Sequence, residues 1–105
     1  MQDLEGKTFI VEAWGKTTEV EIHLGSYQNG RSTAIQLVTT GSFKEPFATL
    51  TCNIPCVKLE ADEVLIKGWS ENEAVAQAAL KTGWFEETGK IVPTGFAVAE
   101  IWRIK

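Results

Sequence analysis

The chain has one histidine and two cysteines among its 105 residues, and each scarcity excludes something. With His23 alone, no histidine pair can build a zinc site, and any histidine base would have to be this one. Its neighbours Glu21 and, across the hairpin described below, Gln36 are polar, so His23 is expected as a surface residue rather than a general base. Cys52 and Cys56 are spaced C-x₃-C and lack a second pair, so they do not form a zinc motif. Two cysteines make no disulfide framework, and a reducing compartment fits them better. No apolar run approaches the roughly 20 residues that span a bilayer. The N-terminus, Met1-Gln-Asp-Leu-Glu5, is acidic and has no signal-peptide core. The expectation is a cytoplasmic protein without a membrane partner.

Positive charge is also short. Ten basic residues face fourteen acidic ones, for a net charge of −4. Residues 1–53 carry six acids and four bases, and residues 54–105 carry eight and six. With no basic tail or stripe, direct nucleic-acid binding by phosphate neutralisation is not expected. The nine glycines fall at turns and helix ends and make no phosphate-cradling motif. Glu60, Asp62 and Glu63 lack the spacing of a calcium loop. No catalytic set, metal-ligand set or cofactor site emerges, so a non-enzymatic protein is expected.

What is present suffices for one domain over residues 1–105. Apolar residues make up 44% of the chain, and a chain of this length can bury well over half of its unfolded surface. The clearest element is Val20 to Val38. Val20, Ile22 and Leu24 alternate with Glu21 and His23, the period of a half-buried strand. Asn29-Gly30 supplies a type I′ hairpin turn. Folding about it sets Leu24 opposite Ile35 and Ile22 opposite Leu37, so turn chemistry and apolar pattern agree on one register.

Before it, Lys7 to Trp14 reads as a strand with Phe9, Val11 and Ala13 on one face. A type II′ turn at Gly15-Lys16 would pair Phe9 with Ile22, Val11 with Val20 and Ala13 with Thr18. On the other face it sets Ile10 by Glu21, Trp14 by Thr17, and Glu12 directly opposite Glu19. Opposed like charges destabilise a sheet by up to roughly 1 kcal/mol. Phe47 to Ile54 is a further strand, opened by Pro46 and ended by Pro55, with Ala48, Leu50, Cys52 and Ile54 on one side. Val64-Leu65-Ile66 is a short apolar run.

Ser70-Glu71-Asn72-Glu73 has the form of a capping box and predicts a helix over residues 71–82, ended by Gly83. Trp84 to Glu87 and Lys90 to Val92 flank a turn at Thr88-Gly89. Pro93-Thr94-Gly95 is another turn. Phe96 to Ile104 is apolar on both faces, which predicts an interior strand. The fold class that follows is α+β: an antiparallel sheet of five or six strands, beginning as a meander, with one helix on one face. The core should contain Phe9, Val11, Val20, Ile22, Leu24, Ile35, Leu37, Leu50, Val75, Ala78 and Ala79.

Tyr27-Gln-Asn-Gly-Arg31, Ala34-Ile-Gln-Leu-Val38, Glu45-Pro-Phe-Ala-Thr-Leu-Thr51 with Asn53-Ile-Pro55, and Glu87-Thr-Gly-Lys90 followed by Gly95-Phe96 and an aromatic terminal strand occur in order. Together they resemble a family of small uncharacterised proteins of bacteria, phages and conjugative elements. The resemblance implies no activity and no site residues. It implies a setting, the mobile genetic element, in which small acidic proteins block host defence proteins.

Tryptophan, an efficient interface anchor, occurs four times. Trp69 and Trp84, beside the helix ends, are expected in the core, and Trp14 and Trp102 on a face open to a partner. The candidate binding surface is therefore Trp14, Glu12, Glu19 and Glu21 with Glu100 and Trp102, facing a host protein with a basic surface. Two alternatives stand beside it. One is a small-ligand or enzyme pocket between helix and terminal strand, where a buried Glu100 would serve as acid or base. The other is a homodimer formed through an open sheet edge.

Overall fold

A computed structural model describes residues 3–27, 32–54 and 57–105. Its strands are β1 (Thr8–Ala13), β2 (Lys16–Ser26), β3 (Thr33–Thr39), β4 (Pro46–Thr49), β5 (Glu63–Ile66), β6 (Phe85–Thr94) and β7 (Ala97–Ile104). A 3₁₀ turn, Ser70–Asn72, leads into α1 (Glu73–Lys81). The α+β class holds, but the strands form two antiparallel sheets. One has four strands in the order β1-β2-β3-β4, and the other has three in the order β5-β7-β6.

The β2–β3 register is the one the apolar pattern predicts, with Ile22 opposite Leu37 and Leu24 opposite Ile35. The Asn29-Gly30 turn itself lies outside the described residues. The β1–β2 register differs. Phe9 faces Val20, Val11 faces Thr18 and Ala13 faces Lys16. The reason is the turn, which is centred on Trp14 and Gly15, both at positive φ (55° and 75°). That is the backbone of a type I′ turn, one residue earlier than the sequence suggests. Moving a turn by one residue moves the pairing by two and leaves every side chain on its original face. Glu12 consequently faces Thr17, and Glu19 faces Ile10. The predicted Glu12–Glu19 repulsion does not exist.

The segment after β4 joins the sheets. Leu50 N–H donates to Ile35 O on β3 (2.9 Å), while Lys67 N–H donates to Leu50 O (2.8 Å) and Cys52 N–H to Leu65 O (3.1 Å). Thr51 is buried; its hydroxyl oxygen accepts from Ile35 N–H (3.0 Å) and also hydrogen-bonds the Tyr27 hydroxyl (2.9 Å). The segment turns here, so Ala48 and Leu50 pack with the main core, and Cys52 and Ile54 with a second cluster. The predicted single apolar side of this strand is thus divided between two clusters.

The helix starts without the predicted capping box. Ser70 has φ of 53°, and no side chain caps the 3₁₀ turn or α1. Asn72 acts instead, donating from its amide to Thr49 O and Lys67 O, both at 2.8 Å. This pins the helix entry to the joint between the sheets. Val75, Ala76 and Ala79 are buried, and Ala78 is only partly so. They meet Phe9, Val11, Val20, Ile22, Ile35 and Leu37 of one sheet and Val64, Ile66, Phe85, Trp102 and Ile104 of the other in one core. Leu4, which the strand pattern does not reach, is fully buried there, and Leu24 is only partly buried.

β7 is interior to its sheet, as its apolar faces predict. Its second face carries Ala99 and Ile101, which cluster with Leu65 under Cys52, Ile54, Val57, Leu59, Trp69 and Val92. The predicted turn at Thr88-Gly89 is a bulge within the single strand β6. Glu87 faces Trp102 and Ile91 faces Glu100, so residues 88–90 stand against Ile101 alone. Gly89 has φ of 84°, and the Thr88 hydroxyl donates to Ile101 O (2.6 Å). Bulges re-aim side chains, and here Lys90 is brought to Glu63.

Glu63 is a buried carboxylate. One oxygen accepts from the Glu60 amide (2.9 Å). The other meets the Lys90 ammonium and has no further hydrogen bond. The Glu60 amide first, then Lys90, hold its carboxyl below the ordinary glutamate range against the opposing effect of burial. The unfolded chain has glutamate near about 4.3. A depressed folded value means that Glu63 contributes its full stability above that pH and loses it as pH falls through the folded value. Glu63→Gln should therefore flatten the acid limb of the stability–pH curve measured by urea unfolding. Lys90→Met leaves the carboxylate unpaired and, because Lys90 itself is half-exposed, should cost about 2 kcal/mol at neutral pH.

Candidate functional site

The structure separates the residues that the sequence assembles into one surface. Glu12, Glu19 and Glu21 lie on the face of β1 and β2 turned away from the core residues Phe9, Val11, Val20 and Ile22. Two of these acids are already engaged. Glu19 accepts from the Thr40 hydroxyl (2.8 Å). Glu21 lies between His23 Nε2 (2.9 Å) and Lys44 Nζ (3.2 Å). His23 Nδ1 faces Glu5 (3.0 Å), whose other oxygen accepts from Leu24 N–H (2.8 Å). Both imidazole nitrogens are committed to carboxylates, so His23 ties the N-terminal segment to β2 and presents no free nitrogen to a substrate.

Trp14 is exposed at 58%. Its ring leans on Phe47 of β4 at 5.6 Å, and Phe47 packs against the core. Trp14 thus belongs to the rim of the core, not to the acidic face. Its left-handed backbone is unusual for a bulky residue. Trp102 is 2% exposed and packs on Phe85 at 5.7 Å, which corrects its assignment to an open face. It shares a face of β7 with Glu100, and the core covers that face only towards Trp102 and Ile104. Glu100 is exposed and accepts from the Trp102 indole N–H (3.1 Å). The burial required by an acid–base role at Glu100 is absent. Trp69 and Trp84 are partly buried against the two clusters. Trp84 meets Phe9 edge-on at 6.2 Å and carries Lys7 Nζ 5.2 Å from its ring centre.

A groove of about 330 Å³ lies between β1 and α1, lined by Ile10, Glu12, Ala74, Gln77, Ala78 and Lys81. It is shallow and lies away from the terminal strand where a pocket was expected. Among the described residues, no group of three or more His, Cys, Asp or Glu could hold a metal ion. Burial pushes the Cys52 thiol up, with the Lys67 charge opposing, so it is held as a thiol in its cluster rather than as a reactive thiolate. No helix among the described residues is long and apolar enough to cross a membrane.

The surface that sequence reasoning missed is the end of the β6–β7 hairpin. Pro93 faces Val98 and Ile91 faces Glu100, so by alternation these four share the face that carries Trp102 further along. Trp102 is buried, but Val98 is 49% exposed, Ile91 63%, and Phe96 in the turn fully so. The opposite face of the same hairpin is covered, with Val92 and Ala99 in the second cluster. One face of this ribbon therefore runs out beyond the core that its base encloses. A signal was available in the lengths: a nine-residue helix is roughly 14 Å long, and an eight-residue strand roughly 27 Å.

Comparison of the chain with family models, with curated proteins and with solved structures finds no match.

Substitutions at two positions separate structural from interface roles on the first sheet. Trp14→Asn and Trp14→Ala both lose the contact with Phe47, but asparagine tolerates the left-handed backbone. Trp14→Asn should be the more stable by about 1 kcal/mol in chemical denaturation. Glu12→Lys should change stability by less than about 0.5 kcal/mol, since no opposed acid is there to be relieved; a clear stabilisation would restore the Glu12–Glu19 pairing.

Proposed function

We propose that the chain is a non-enzymatic protein-binding module of a mobile genetic element. It works in the cytoplasm by occupying the surface of a host protein, in the role of a defence inhibitor. The observation that carries the binding role is the outward apolar face of Ile91, Pro93, Val98 and Phe96. Contiguous apolar surface of this kind marks an interaction site. The bulky residues present an anchor, and the rest of the ribbon is held rigid by the cluster on its other face. The setting comes from the family resemblance of residues 27–104.

The acidic residues of β1 and β2 support this function less well, because Glu19 and Glu21 are bonded within the chain. The enzyme alternative has no supporting geometry at Glu100, which is exposed and bonded to an indole.

Affinity capture from bacterial host lysates, followed by reconstitution with the purified partner, tests the proposal. A stoichiometric host protein is expected. Phe96→Ser should abolish its binding while leaving the thermal midpoint within a degree or so of the parent, because a fully exposed side chain contributes little to folding. Absence of any stoichiometric partner across hosts would count against the module.

A further inference from the structure

We infer that the β6–β7 hairpin face docks a basic amphipathic polypeptide segment, one that sets apolar side chains on Ile91, Val98 and Phe96 and lysines or arginines beside Glu87 and Glu100. The inference rests on the chain being a protein-binding module and specifies the chemistry of its partner.

The charges around the patch select the occupant. Glu87 faces Trp102 and Glu100 faces Ile91, so both carboxylates stand on the apolar face, and both are exposed. Among the described residues, no lysine or arginine pairs with either of them. The neighbouring cations are committed elsewhere, Lys90 to Glu63 and Arg103 to Asp62 and Glu86 on the other face. The result is an apolar strip with unneutralised negative charge at its base. A basic segment complements both parts, and the charge steers it to the face. An anionic membrane surface is repelled by the same carboxylates.

Two competing modes are disfavoured by the same geometry. Strand addition along the free edge of β6 is obstructed by Pro93, which has no N–H to give, and by the bulge at residues 88–90. A second copy laid face to face would bring the Glu87 and Glu100 carboxylates towards their counterparts, a juxtaposition of like charge that suppresses association.

The test uses the isotope-labelled full chain and synthetic peptides alternating leucine with lysine, or leucine with glutamate in matched order. The lysine peptide should shift amide resonances of residues 87–100, and the glutamate peptide should not. Phe96→Ser should abolish the shifts. Glu87→Gln with Glu100→Gln preserves the acceptor for the Trp102 indole, so the fold is retained. That double variant should bind the lysine peptide about ten-fold more weakly, as expected for two rim ion pairs, and lose most of the salt dependence. Equal binding of both peptides, or shifts confined to Glu12, Glu19 and Glu21, would overturn the inference. So would a dimer in sedimentation that Phe96→Ser dissolves, which would assign the face to a second copy. A captured host protein whose affinity ignores all three hairpin substitutions would refute this site and leave the binding module standing; failure to capture any partner bears on the module itself.

Discussion

The joint at Leu50, Thr51 and Cys52 is the constraint on which the rest of the fold depends. These three residues carry hydrogen bonds to β3 on one side and to β5 on the other. They convert two small sheets into the walls of a single core. Each wall has an apolar face and must bury it against another element. Thr51 is suited to the position because its hydroxyl satisfies a buried amide that no strand partner reaches. Asn72 fixes the helix entry to Thr49 and Lys67, beside the same joint. Helix placement and core closure are thereby coupled to a few bonds within a short stretch of chain.

That arrangement also creates the exposed hairpin face. The joint sets where β5 meets the first sheet, and β7 pairs with β5 over Val64 and Ile66. The part of β7 before Glu100 has no such neighbour and is paired only with β6. Its second face is covered by the segment around Ile54, Val57 and Trp69. The ribbon is therefore stiffened from one side and left uncovered on the other. A rigid apolar surface loses little conformational entropy on association, which is what a binding anchor requires. The pair of buried Glu63 with half-exposed Lys90 serves the same region by holding the bulge of β6 to β5. Such pairs stabilise little in themselves but are costly to break, which fixes one conformation of the ribbon's base.

Much of the fold was legible residue by residue. The alternation of Val20, Ile22 and Leu24 against Ile35 and Leu37 specifies one face and one register. The both-sided apolarity of the terminal strand specifies its interior position. The helix span follows from its small and apolar residues, although its cap does not. The candidate site was legible only in part. Trp14 is exposed, but in a turn whose centre the sequence misplaced by one residue. Glu12, Glu19 and Glu21 share the predicted face, yet two of them are satisfied by Thr40, His23 and Lys44. His23 shares the strand face of Glu21, but Thr40 and Lys44 lie 21 and 23 residues from the acids they meet, so no local pattern discloses those two.

The sequence by itself determined the α+β class, the meander, the pairing of β2 with β3, and the absence of a histidine or cysteine cluster. These depend on side-chain period, turn chemistry and residue counts, which are local or compositional properties. Only the tertiary structure decided that the strands divide into two sheets, that Trp102 is core and Phe96 is surface, and that Glu63 is buried and paired with Lys90. Each of those depends on which segment lies over a given face. Coverage is set by long-range packing, and residues of the same type at Trp14 and Trp102, or at Phe85 and Phe96, come to opposite fates according to what lies over them.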